Sequence, residues 1–341
     1  MDKRLWGSVM GACIGDAMGA PTEMRTRDQI LEFFGDYVKT FIAPPEDVFA
    51  KGRLPGQVTD DFSIAYYLLK EIVKEDGIIS EEIGKNAIIN WSNNEEYCPK
   101  FAGPTTMAAI NKLKIGEVFD PALEFGLVNY NNLGTNGASM KIFPIGLLNG
   151  RKFDKTISDV ITVCRYTHFT NLALAGACAI ACAVGEAKQL DSTKDSIISA
   201  GLYGARVGDL EAKRILNKIC AGPSIEKRIE LAVTVGKTAK SFDELLVSIN
   251  DSVGTGIWVW ESIPAVFGIV SYVDNTMDGI YAGVNIGNDT DTIATMVGAI
   301  LGAFFGNDDL DQVCLEEAVK VNDMELKNLT QKLEEICLKN M

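Results

Sequence analysis

Apolar residues recur at intervals of three and four along most of this chain: Leu68, Leu69, Ile72 and Val73; Ile157, Val160, Ile161 and Cys164; Leu210, Ile215 and Ile219; Leu315, Val319, Met324 and Leu326. That spacing lays an apolar stripe along a helix and predicts a mostly α-helical protein. Strand-like alternation is scarce, with one extended candidate at Asp36 to Ile42 and an ambiguous run at Gly126 to Tyr130. Pro44-Pro45 and Gly52 to Gly56 read as an irregular loop leading to Thr59. No Pro/Gly/Ser linker, low-complexity tract or internal repeat interrupts the sequence, so residues 1–341 are expected to form a single domain.

Three of the expected helices carry small residues one turn apart: Gly7, Gly11, Gly15 and Gly19; Ala173, Ala177, Ala181 and Gly185; Gly298, Gly302 and Gly306. A glycine inside a helix costs about 1 kcal/mol relative to alanine, so such stripes are expected where neighbouring backbones must approach closely. The three helices are therefore candidates for one tightly packed centre.

A hydrophobic content of 47% allows a large core. The net charge of −14, with no dense Lys/Arg run, argues against nucleic acid and anionic membranes as partners and for a small ligand or one protein. Eight cysteines lack the paired short spacing of zinc sites and read as small buried thiols in a reducing cytoplasm. Lys3-Arg4 followed by Leu5 to Ile14 superficially copies a secretory signal, but Gly7, Gly11, Gly15 and Asp16 interrupt the apolar stretch. The longest near-apolar runs, Leu172 to Val184 and Ile293 to Phe305, are shorter than the roughly 20 residues needed to span a bilayer.

Two oxygen-rich clusters stand before helical patterns: Thr59-Asp60-Asp61, and Asp289-Thr290-Asp291-Thr292. On a continuous helix Asp289 and Asp291 would point roughly 200° apart, so they are expected to precede or cap a helix starting near Ile293. Helix capping accounts for either cluster alone. Together they indicate a hard-cation site, for which Mg²⁺ or Mn²⁺ fits better than zinc in a chain with one histidine. Asp16, an acid inside the glycine-striped helix, needs a partner, and either a loop tether or a functional role would provide one. Glu23, beyond Pro21, is placed on a loop from which it could reach the metal site as gate or general base; a solvated surface residue is the alternative. The glycine-rich turn Leu133 to Lys141 offers backbone N–H groups to a diphosphate and Lys141 a charge, without the context of a Walker or dinucleotide-binding motif. His168 has no serine or cysteine partner in the sequence and is as compatible with a structural role as with a ligand. Trp258 and Trp260 are assigned no site.

Taken together, Gly11 to Glu23 (GACIGDAMGAPTE), Gln57 to Ser63 (QVTDDFS), Asn136 to Gly146 (NGASMKIFPIG), Thr167-His168 and Gly287 to Gly306 (GNDTDTIATMVGAILGAFFG) occur in an order that resembles the ADP-ribosylglycohydrolase family. The resemblance implies an all-α orthogonal helical bundle with a binuclear centre of two divalent cations, Mg²⁺ or Mn²⁺, at the bottom of a cleft. It implies Thr59, Asp60, Asp61, Asp289, Asp291 and Thr292 as metal ligands. Glu23, Asp60, Asp61 and Asp289 become the catalytic candidates. Asn136, Gly137, Ala138, Ser139, Met140 and His168 would contact the ADP-ribose. Three departures stand out: Gly287-Asn288 where Gly-Gly is common, Lys141 where arginine is frequent, and Phe62-Ser63 where threonine is usual nearby.

The implied activity is metal-dependent hydrolysis of the bond between ADP-ribose and an acceptor, arginine on a protein being the first to try, by a monomeric enzyme. The metals would position the ribose hydroxyls while water attacks C1″. The alternatives are a hydrolase of a free ADP-ribosyl compound or other N-glycoside, a Mg²⁺-dependent phosphatase, and a non-catalytic ADP-ribose-binding protein.

Overall fold

The computed structural model of the protein describes residues 1–339. Among them are eighteen α-helices, one short 3-10 turn at Asn307–Asp309 and no strand, the single ladder-type contact being an isolated antiparallel bridge between Thr135 and Trp258. None of the helices is long and apolar enough to cross a membrane.

The helices Lys3–Gly19 and Thr290–Phe305 form the heart of the fold, and both are apolar around most of their circumference because both are enclosed on nearly every side. They run antiparallel with their small residues interlocked. A methyl group added at Gly7, Gly11 or Gly15 would lie only 2.3, 2.2 and 2.2 Å from the carbonyl oxygens of Gly302, Gly298 and Ala294, and one at Gly19 would lie 2.5 Å from the Cα of Asp291. The contact is reciprocal: a Cβ at Gly298 or Gly302 would meet the carbonyl of Gly11 or Gly7 at 2.1 Å. Backbone thus lies directly on backbone at four successive positions of the first helix, and the stripes read from the sequence are the reason.

The third striped helix, Asn171–Ala187, does not join this contact as closely as expected. It packs mainly on Lys194–Ile215, where Gly204 faces the Cys178 carbonyl at a would-be Cβ distance of 2.3 Å, and its Gly185 meets the Gly150 carbonyl at 2.5 Å. The glycines of the later helix admit its backbone, so the close approach is used on a different side.

One buried hydrophobic cluster runs from Leu5 to Ile336, and a small satellite of Ala20, Val48 and Ala50, with Phe101 against it, lies apart. All eight cysteines are unpaired, seven of them buried. Neither strand candidate forms a strand. In the Asp36–Ile42 stretch the backbone of Val38 is satisfied by one side chain: Asn285 accepts from Val38 N and donates to Val38 O, each at 2.8 Å. The ambiguous run becomes the short helix Leu127–Asn131.

Candidate active site

The acidic centre is assembled by four chain segments that meet at the ends of the interlocked helices, one of them the start of the Asp60–Lys74 helix with Asp60 and Asp61. The first is the Lys3–Gly19 helix itself, which carries Asp16. Its carboxylate accepts hydrogen bonds from Thr59 N at 3.0 Å, Thr59 Oγ1 at 2.7 Å and Phe62 N at 2.9 Å. Asp16 therefore does from outside what an N-cap side chain does from within: it satisfies the free amides at the start of the Asp60–Lys74 helix, while Thr59, at the cap position, makes no cap bond of its own. Farther along, Phe62 stacks near Phe143 and the Ser63 hydroxyl accepts from Trp91 Nε1 at 2.8 Å, so both departures at this motif serve packing.

The second segment turns sharply at Gly287 and Asn288, which adopt φ of +93° and +60°. Asparagine tolerates this left-handed region better than most side chains, which is why it can stand where glycine is common. The Asn288 amide donates to Arg25 O and its carbonyl accepts from Met24 N, each at 2.8 Å, while Asp289 N donates to Thr255 O at 3.0 Å. The following helix begins at Thr290, three residues earlier than the sequence indicates, with Asp289 just before it at φ −90°, ψ 65°. Asp289 is thus outside the helix and Asp291 in its first turn, and the non-helical link lets the two converge.

The third segment is the turn after Gly19, which carries Glu23 and is stitched to Asn288 through Met24. The result is two groups of carboxylates: Asp16, Asp61 and Asp291, and Glu23, Asp289 and Asp291, each with oxygens within 4.8 Å of one another. Asp291 belongs to both. Asp60 lines the cleft beside them, as do Thr59 and Thr292. Asp16 is the ligand-type residue that the sequence reading left undecided; its signal was an acid at 0% exposure in an apolar helix, and only the tertiary contact decides its role.

Crowding makes these carboxyls hold their protons. Burial, then the neighbouring negative charges, pushes Glu23 up to about 8 and Asp60 up to about 7, and burial raises Asp16 to about 6 against its hydrogen bonds and the Arg53 charge. Asp61 and Asp291 are driven well above the usual carboxylate range by the same two causes, and burial raises Asp289 although Asn136 opposes it. Asp61 Oδ1 is buried without any hydrogen-bond partner. An all-oxygen set of this density, with an orphaned carboxylate oxygen inside it, fits a hard divalent cation, which would take the place of these protons and supply the absent partner.

Above the acids opens a cleft of about 520 Å³. Its polar face includes Thr135, Asn136, Gly137, Met140 and His168. Asn136 Nδ2 donates to Asp289 Oδ2 at 2.5 Å and to Ser262 Oγ at 3.1 Å, tying the glycine-rich turn to the acids. A side chain at Gly137 would lie 2.4 Å from His168 Nε2, so this backbone stands close against the ring. Burial and the Lys141 charge keep His168 neutral, and its Nδ1 has no partner.

Three residues expected at the diphosphate do not reach the cleft. Ala138 and Ser139 are fully buried beneath the turn and are not among the lining residues. Lys141 points inward, where Nζ donates to Thr167 Oγ1 at 3.1 Å, and burial lowers its pKa. Residue 141 lies in the turn that leads into the Phe143–Asn149 helix, and its side chain follows the core face. The apolar face of the cleft, with Phe49, the Lys100–Thr106 segment and Ile257, was not legible as a site in the sequence. Trp258 and Trp260 are stacked with ring centroids 5.0 Å apart behind it, Trp260 bracing Gly134.

A larger depression of about 770 Å³, lined in part by Tyr37, Phe242, Tyr272 and Tyr281, lies away from this chemistry. Its acids are satisfied internally, Asp243 by Arg27, Asp274 by Lys194 and Asp278 by Asn275.

The sequence as a whole matches the family description ADP-ribosylglycohydrolase over residues 1–340. A protein of Escherichia coli K12 described only as uncharacterized protein YegU is 30% identical, the alignment covering 95% of this chain and 94% of that one. ADP-ribosylhydrolase ARH3 of Xenopus tropicalis is 26% identical over 90% of this chain and 88% of its own. ADP-ribosylarginine hydrolase Tri1 of Serratia proteamaculans is 23% identical over 96% and 78%. A solved structure titled ADP-ribosylglycohydrolase-related protein complex superposes with a TM-score of 0.69 over 98% of both chains at 18% identity, which shows a shared fold. The all-α fold, the order of the motifs and the length of these matches lead to one assignment: the chain belongs to the ADP-ribosylglycohydrolase family, whose activity is hydrolysis of ADP-ribosyl glycosidic bonds.

Proposed function

We propose that the protein removes ADP-ribose from arginine side chains of modified proteins, with two Mg²⁺ or Mn²⁺ ions held by the acidic centre. The observation that carries this reading is the pair of carboxylate groups sharing Asp291 at the floor of a cleft large enough for a nucleotide. The arginine acceptor is favoured by the Serratia relative, which is named an ADP-ribosylarginine hydrolase. Thr59, Asp60, Asp61, Asp289, Asp291 and Thr292 would hold the ions, and Asp16 is added to that set by its place in the first group. Bound ions would supply positive charge for an anionic substrate and Lewis-acid polarisation of its ribose hydroxyls.

The chain's own groups would do the rest. Glu23, half-buried at the rim, would take a proton from the attacking water in its ionised form; burial and three neighbouring acids give that carboxylate a high proton affinity, so it would act as a base once its own proton has left. Asn136 would hold Asp289 in orientation through its amide. The Gly137 backbone would meet the diphosphate, and the free Nδ1 of neutral His168 would offer one hydrogen bond to the ligand. Met140 would contact the sugar or base, whereas Ala138 and Ser139 would support the turn from beneath. A monomeric, cytoplasmic enzyme belongs to the same reading.

The test is release of ADP-ribose from ADP-ribosyl-arginine and ADP-ribosyl-serine proteins in Mg²⁺, Mn²⁺ or EDTA, comparing wild type with Asp289→Asn. Metal-dependent release from the arginine substrate, lost in the variant, is the expected result. Cleavage of free ADP-ribosyl compounds alone would replace the protein substrate with a small molecule. Binding of ADP-ribose without cleavage of any substrate would leave a binding protein.

A further inference from the structure

The apolar face of the cleft is built differently from its floor. The Lys100–Thr106 stretch packs through Phe101 on the satellite of Ala20, Val48 and Ala50 and, with Ala102, on the margin of the main core. Three small buried side chains and a core margin are a modest anchor, and cation contacts add to it on this face.

Arg53 is the centre of those contacts. It is 7% exposed, far from ordinary for a charged group in a loop. Its Nε and Nη2 both donate to the Val58 carbonyl, at 3.1 and 2.5 Å, one residue before Thr59. The guanidinium carbon lies 5.0 Å from the Tyr97 ring centroid and 5.3 Å from that of Phe101. Its nearest carboxylate, Glu96, is 3.7 Å away and 70% exposed, so this contact contributes little. A buried guanidinium is thus held by one carbonyl and two rings, with no close ion pair. The plane of the group is what satisfies both at once: its edge meets the Val58 carbonyl beside the acidic centre while it also stands against Phe101 of the cleft wall and buried Tyr97.

We infer that Arg53 is a positioning residue for substrate, fixing Phe101 and the Lys100–Thr106 wall at a set distance from Thr59 and the acids. This rests on the functional reading above only in that the cleft takes an ADP-ribosyl group. Arg53 does not line the cleft and touches no reacting atom; it acts through Phe101 and Val58. Arg25 adds a second tether, its Nη2 meeting both carboxylate oxygens of Asp47 at 2.7 and 2.9 Å on the strip that also holds Val48 and Phe49.

The test compares wild type, Arg53→Lys, Arg53→Met, Tyr97→Leu and the Arg53→Met/Tyr97→Leu pair, reading KM and kcat for ADP-ribose release. Removing the guanidinium should raise KM about tenfold with kcat within about twofold, the pattern of lost binding that is equal in ground and transition states. Tyr97→Leu should raise KM about threefold, and the pair should be no worse than Arg53→Met alone, because the two act through one contact. Arg53→Lys, which keeps charge but not the plane, should fall between wild type and methionine. Calorimetric affinity for Mg²⁺ should be unchanged in Arg53→Lys and Tyr97→Leu, which keep the positive charge that acts on Asp16. A fall in kcat at constant KM, additive effects in the pair, or full function in Arg53→Met would overturn the assignment. If Arg53→Met does not fold, the lysine and leucine variants decide by the same ratio. Wild-type protein that releases no ADP-ribose defeats the functional reading instead, and the same order of effects is then read as the dissociation constant for ADP-ribose.

Discussion

The floor of the cleft and its apolar wall are held by opposite means. The floor stands on two helices whose backbones touch, Gly11 against Gly298 and Gly19 against Asp291, with no side chain between them to rotate or repack. The wall stands on a satellite of three small residues, on the margin of the main core through Phe101 and Ala102, and on arginines that reach across loops. Interiors resist small displacements because they are close-packed, and a backbone-to-backbone contact is the extreme of that condition. The acids are therefore placed rigidly, whereas the wall is placed by a few contacts that can be changed singly.

The largest effect is expected from Gly11→Ala. Alanine gains about 1 kcal/mol in helix propensity, yet its methyl would sit 2.2 Å from the Gly298 carbonyl, so the helices must separate. A net loss of about 3 kcal/mol, at the upper end of ordinary overpacking, is expected from denaturant unfolding, together with weaker Mg²⁺ binding. An unchanged midpoint would show that the floor yields as easily as the wall.

Asp291→Asn comes next. Because this residue serves both carboxylate groups, titration calorimetry should detect loss of more than one bound ion, and ADP-ribose release should fall by more than about a hundredfold, the upper range for merely disturbing a ligand's partner. Loss of a single ion would separate the two groups.

The acids also give the floor a pH signature. Asp16, Asp60 and Glu23 have folded-state pKa values of about 6, 7 and 8, above the values near 4 of an unfolded chain. The folded state therefore binds more protons between these limits, and the stabilisation present below about pH 4 is lost as pH rises through 6 to 8. Thermal unfolding in EDTA should shift to lower temperature over this range. Saturating Mg²⁺ should flatten the slope, since the cation takes the place of the protons. A flat profile in EDTA would mean the carboxyls are not crowded in solution.

Asp47→Asn should have the smallest effect, because its carboxylate is mostly solvated while the partner Arg25 also rests on Phe33. A KM increase of about twofold with unchanged unfolding temperature is expected, and a fall in kcat would show that the tether reaches Glu23 as well as the wall.

The sequence disclosed the floor far better than the wall, for a physical reason. Glycines at Gly7, Gly11, Gly15 and Gly19 cost helix stability unless a neighbour comes close, so their spacing announced a contact, and the clustered Asp60, Asp61, Asp289 and Asp291 announced an oxygen-rich site. What remained hidden depends on direction or on distant partners. Asp16 is a buried acid in any reading, but its donors, two amides and a hydroxyl, come from Thr59 and Phe62, more than forty residues away. Lys141 adjoins the glycine-rich turn in sequence while its side chain enters the core, which no local pattern could reveal. The Val38 segment keeps strand-like alternation although Asn285 supplies both its hydrogen bonds. Phe49 and Phe101 are single aromatics in irregular segments, with no periodicity to mark them.

The interlocked glycines also act as a length standard. Asp16 and Asp291 sit on opposite helices and share one carboxylate group, so their separation is set by which carbonyl each glycine rests against. A slip of one residue along the pair would move one acid past the other by about 1.5 Å, comparable to the difference between a bound and an unbound cation oxygen. Because glycine recurs every four residues on the first helix, the smallest shift that restores close contact is a full turn, near 6 Å, which would remove the acids from each other's reach. The spacing of the acids is thereby quantised: intermediate separations are excluded by backbone collision, and the coordination distance is inherited from the pitch of the helix.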